Sequence, residues 1–182
     1  MLRTLPLLLA DAATLLALAG PAAAADRFFS YDPANAQTRA TAGDLTFQFK
    51  QRLVWNIVLA VRSTEGEATA DLKPANEGVF GAGGLARIVP GGREHDLYEV
   101  TSTSQGADMV HAFCPGSQHA WMAIGRLSEG APLRVRVIGD TPGGGRAHLC
   151  QTFDFTYHGE WRLPPGAPPP PERDLLQPKF PY

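Results

Sequence analysis

The chain has 182 residues, of which 44% are hydrophobic and 19% charged, with a formal net charge of −2. A balance this close to neutral lacks the basic face that draws a protein to nucleic acid or to an anionic membrane surface. Arginine outnumbers lysine 13 to 3, yet Arg27, Arg39, Arg52, Arg62, Arg87, Arg93 and Arg126 are scattered and read as a mixed polar surface.

Residues 1–25 read as a secretory signal peptide. Arg3 supplies the positive start, Leu5 to Ala19 the apolar run, and Gly20-Pro21 breaks it before Ala22-Ala23-Ala24-Ala25. Cleavage is expected before Asp26. Asp11 interrupts the apolar run and makes it a poor permanent anchor, since a membrane span needs about 20 residues with few or no charges. The expectation is an exported protein, periplasmic or extracellular, with no stable membrane anchor after cleavage. Residues 26–163 then have the length of one β-rich domain.

Asp32-Pro33 opens a helical candidate over Pro33 to Thr41, with Asp32 as N-cap and Gly43 as terminator. Leu45, Phe47 and Phe49 alternate with polar residues and predict a strand buried on one face. Val54 to Val61 is apolar on both faces; its β-branched content favours a central strand, with a buried helix over Leu53, Ile57 and Val61 as the alternative. Glu65-Gly66-Glu67 reads as a turn into a weak strand through Leu72. Gly81, Gly83, Gly84, Gly91 and Gly92 surround Leu85 to Val89, one helical turn or a short strand. No Gly-Lys-Ser/Thr follows this glycine run, so it is read as a flexible connection and not as a phosphate loop.

Strands are expected at Leu97 to Thr103, Met109 to Phe113, Trp121 to Leu127, Leu133 to Gly139 and Leu149 to Tyr157, joined by Gly/Pro turns. Phe153, Phe155 and Tyr157 share one face of the last, and Thr152, Asp154 and Thr156 the other. The fold class expected is mainly β, a single antiparallel β-sandwich or small open barrel with one short N-terminal helix. Residues 164–182 hold eight prolines in nineteen positions. They read as a proline-rich tail, solvated or strapped across the domain by Phe180 and Tyr182.

Cys114 and Cys150 are the only cysteines, and an exported chain with two pairs them. In the expected meander the strands at 121–127 and 149–157 run the same way. That brings Cys114, before the first, and Cys150, at the start of the third, to one end of the sheet. The rival reading is a nucleophilic thiol with His111, His119 or His148 as base. A second alternative is a soft-metal site suited to copper, built from Met109, His111, His119 and Met122 around Cys114. No Gly-x-Ser-x-Gly elbow frames Ser117, and nothing selects a catalytic pair among Asp154, Glu160, Glu94 and Asp96.

The remaining constellation is Asp154, Tyr157, His158, Glu160 and Trp161, where aromatic plates stand beside carboxylates at the end of the last strand. Stacking on a sugar face with hydroxyls held by carboxylates uses these residue types; the competing reading puts Tyr157 and Trp161 in the core. Taken together, the sequence suggests a non-catalytic binding or structural module of the cell envelope, with no cofactor and with a glycan or an envelope protein as partner. The alternative in a different class is an envelope hydrolase using a His/carboxylate or Cys/His site.

Overall fold

The computed structural model describes residues 26–51, 56–94, 96–101, 105–141 and 146–162. Expectations placed on the leader, on residues 53–55, 102–103 and 143–145, and on the proline-rich tail lie outside them. Eight antiparallel strands follow one another around a closed barrel. They are β1 (Asp26–Pro33), β2 (Leu45–Gln51), β3 (Asn56–Ser63), β4 (Thr69–Ala75), β5 (Asp96–Val100), β6 (Ala120–Ile124), β7 (Leu133–Gly139) and β8 (His148–Arg162). The expected sandwich or open barrel is corrected by β1, a strand that sequence reading left unassigned. It pairs with β2 along one edge and with β8 along the other, so the meander has no free edge.

Alternation fills the barrel. Phe29 and Tyr31, then Leu45, Phe47 and Phe49, then Met122 and Ile124, Val135 and Val137, and Phe153 and Phe155 are all at most 2% exposed and belong to one core cluster. Their polar neighbours in sequence take the outer face, as period-two side-chain alternation requires.

Two bulges adjust that alternation along β8. Val137 pairs with Gln151 and Ile138 with Leu149, which makes Cys150 the extra residue. Ser30 pairs with Gly159 and Tyr31 with Tyr157, which makes His158 the second extra residue. A bulge shifts side-chain parity by one. Beyond His158 it is therefore Glu160, opposite Phe29, that takes the inward register, while Trp161, opposite Phe28, takes the outward one.

The helices close and cover this barrel. The helix α1 (Ala36–Thr41) starts later than expected: Pro33 ends β1, and Asn35 replaces Asp32 as N-cap, accepting from Thr38 N at 2.8 Å. Residues 109–113, expected as a strand, are part of a helix, here α3 (Gln105–Phe113). Gly106, Met109, Val110 and Phe113 are its buried residues, the i, i+3, i+4, i+7 spacing of a helix and not the alternation of a strand. Phe113 meets Phe153 with ring centroids 5.1 Å apart, so α3 packs into the main core.

The glycine-rich segment is also structured. A 3-10 turn (Glu77–Phe80) and α2 (Gly84–Ile88) lay Leu85 and Val89 against Leu97, Ala123 and Ile138. Phe80 meets Trp121 edge-on at 5.2 Å. This part of the barrel's outer wall thus carries a second apolar layer, and apolar residues alternate onto both faces of β5, β6 and β7.

Candidate functional site

Cys114 follows α3 directly, and Cys150 is the first bulge residue of β8. The two form a disulfide with a Cα–Cα distance of 5.3 Å, as the meander geometry predicted. Gly139, the last residue of β7, makes that approach fit. A Cβ there would stand 2.1 Å from the Cys114 sulfur and 2.8 Å from that of Cys150.

A clasp beside the disulfide ties the start of β6 to the end of β7. The carboxylate of Asp140 accepts from the backbone N–H groups of Gln118 and His119, each at 2.9 Å, and lies 2.7 Å from His119 Nδ1. Partial burial pushes the Asp140 carboxyl up, but the hydrogen bonds from His119 and Gln118 outweigh it and hold the group below its ordinary 3.8. Ser117 Oγ donates to the Asp140 carbonyl at 2.7 Å. Serine, histidine and aspartate are thus neighbours here, but that hydroxyl proton is directed at a backbone oxygen and not at an imidazole.

The five residues singled out at the end of β8 are sent in different directions. Tyr157 packs into the core, its ring 5.4 Å from Phe29 and 5.7 Å from Tyr31, and burial raises its phenol above the usual value. Glu160 binds Arg27 through both oxygens at 2.6 Å. Asp154 accepts from Arg134 Nε at 2.6 Å on the outer surface, and His158 Nδ1 lies 3.0 Å from Asp32 Oδ2. Trp161 lies flat on Phe28, with ring centroids 3.9 Å apart and an interplanar angle of 8°.

That stack marks a feature the sequence did not reveal. Phe28, Thr46, Gln48, Ala60, Arg62 and Thr69, from β1 to β4, line a shallow outer depression. Ser30 Oγ and Thr46 Oγ1 are 3.0 Å apart, and Gln48 Nε2 donates to Asp26 Oδ2 at 3.0 Å. The Trp161 indole N–H and the Thr69 hydroxyl oxygen are buried without a hydrogen-bond partner. Only the alternation Arg27, Phe28, Phe29, Ser30, Tyr31 could have signalled this wall, by announcing a strand with Phe28 on its outer face.

The soft-metal set divides between two environments. Met109 and Met122 are fully buried in the barrel core, whereas His111 and His119 are exposed. Among the described residues, the donor cluster that does converge is Cys114, Cys150 and His148. Glu94, another carboxylate considered above, is 3.3 Å from Arg136 Nε beneath the α2 layer. Comparison with family models, curated proteins and solved structures finds no match to this chain.

Proposed function

We propose that the protein is an exported, disulfide-stapled, non-catalytic binding module of the cell envelope that takes a glycan on its outer face. The observation that carries this reading is the Phe28–Trp161 stack beside the depression lined by Thr46, Gln48 and Arg62. An aromatic plate accepts the apolar face of a sugar ring, and amide, hydroxyl and guanidinium groups answer its hydroxyls. Two further features support the reading. The described inward positions are occupied by the barrel's own bulky side chains, as an eight-strand barrel permits. The disulfide also suits an oxidising compartment.

Calorimetric titration of the mature protein with soluble envelope glycan fragments tests it. At least one fragment should bind, and Trp161→Ala and Gln48→Ala should each weaken it about tenfold or more, while Arg134→Ala, elsewhere on the outer surface, leaves it unchanged. Absence of binding to every fragment rejects the glycan reading. Turnover of a fragment replaces it with the envelope-hydrolase alternative.

A further inference from the structure

The sulfurs of Cys114 and Cys150 and a ring nitrogen of His148 all lie within 4.8 Å of one another, with His148 Nε2 3.5 Å from Cys150 Sγ. Two elements bring them together: the end of α3, and β8 through its first residue and its first bulge. Gly139 leaves the sulfurs the room that a side chain would occupy. Cys114 is fully buried, Cys150 is partly exposed and His148 is exposed, so the pair is reachable from the Cys150 side.

We propose that the reduced Cys114–Cys150 pair, with His148, forms a three-coordinate binding site for Cu(I). Two thiolates and an imidazole are soft and borderline donors of the kind that select a d¹⁰ cation, and three donors suit Cu(I) better than Zn(II), which prefers four. This inference goes beyond the glycan reading and rests on different residues.

The chemistry balances with a dithiol reductant, either a small dithiol or a protein CxxC dithiol. Its thiolate attacks the Cys150 sulfur, the Cys114–Cys150 bond breaks, and Cys114 leaves with the electron pair. The second reductant thiol then attacks the mixed disulfide. The reductant ends as a disulfide, and the protein gains two electrons and two protons. Cu(I) next displaces both thiol protons and takes the His148 nitrogen, leaving a site of net charge −1.

The test uses the mature protein reduced anaerobically and titrated with Cu(I) in competition with a chromophoric Cu(I) chelator, with near-ultraviolet circular dichroism recorded alongside. One Cu(I) should bind per chain with a thiolate-to-copper absorption band. His148→Ala should weaken it by at least the 10–100-fold lost when even an outer-shell partner of a metal ligand is removed. The Cys114→Ser/Cys150→Ser double variant should bind none. The proposal is overturned if reduced wild type binds no more copper than the double variant, if His148→Ala binds as tightly as wild type, or if Zn(II) is retained and Cu(I) is not. Loss of the near-ultraviolet spectrum on reduction also overturns it, because the three donors are neighbours only in the folded barrel.

Discussion

Arg27 in β1 grips the carboxylate of Glu160 in β8 with two hydrogen bonds of 2.6 Å, at the seam where the sheet meets itself. Each side chain is 12% exposed, and the guanidinium carbon stands 5.5 Å from the centre of the Phe29 ring and 5.4 Å from that of Phe49. The hydrogen bond to Glu160 leads the effects that hold the arginine charged above its ordinary range, working against its burial. Removing Glu160 leaves the Arg27 charge beside aromatic rings with the neutral Gln51 amide oxygen in place of a carboxylate. Glu160→Leu should therefore cost about 3 kcal/mol in urea denaturation, and adding Arg27→Met should restore most of it. A single substitution costing under about 0.5 kcal/mol would show that the seam holds without the pair.

The disulfide carries the second prediction. With a sequence separation of 36, its loss should cost about 4 kcal/mol in the chain-entropy model. Denatured, unreduced protein should show no free thiol. Two titratable thiols in freshly prepared protein would restore the reading of a nucleophilic thiol.

Gly106 is the third point of test. A Cβ on this residue of α3 would lie 1.8 Å from the carbonyl oxygen of Thr101. Backbone cannot yield as a flexible side chain does, so Gly106→Ala should shift α3 and destabilise by about 2 kcal/mol or more. Gly130 has open space around it, and its φ of +72° makes alanine there a test of backbone strain alone. Gly130→Ala should cost about 1 kcal/mol. Equal losses at both sites would mean that crowding at Gly106 is relieved elsewhere.

Alkaline pH should loosen the barrel. Burial is the largest cause of raised phenol pKa values at Tyr31, Tyr98 and Tyr157. Between the ordinary value of 10.0 and the raised ones, the unfolded chain ionises while the folded one stays neutral. The folded state then binds more protons, and stability falls as pH rises through that window. Denaturation midpoints should be flat up to about pH 9 and drop beyond it. The Tyr31 hydroxyl is buried without a hydrogen-bond partner. Tyr31→Phe should thus be neutral or stabilising near pH 7 and should flatten the alkaline loss. A midpoint insensitive to pH across that window would place these phenols in contact with water.

The strands legible in the sequence are of two kinds: those whose two faces differ, and short apolar runs that became β3, β5, β6 and β7. In β2 and β8 the alternation of Phe47 and Phe49, or Phe153 and Phe155, with polar residues survives because one side meets the core and the other water. The disulfide followed from the same meander. By contrast β1 escaped notice. Its Phe28 and Phe29 are both 2% exposed, one inside the barrel and one under Trp161, so alternation is blurred. The strand expected at 109–113 failed for a different reason. Its helical spacing begins at Gly106, a residue whose close contact with Thr101 is visible only in three dimensions.

The dispersal of the β8 residues has the same origin. Adjacent residues with suitable chemistry suggest a site only if parity along the strand is known, and His158 changes it. Nothing in Tyr157-His158-Gly159-Glu160-Trp161 announces which residue bulges. The pairing with β1 decides that, and β1 is remote in sequence.

Arg27 and Glu160 stand 133 positions apart, and this separation governs when the molecule can be finished. A chain grows from its amino end, so β1 is made first and its second neighbour last. Until β8 has been added, every partial product is an open ribbon with β1 bare along one margin. No shorter piece can close, and the slow step of joining distant ends waits for the completed strand set. The architecture therefore postpones its own completion until its last strand has been made.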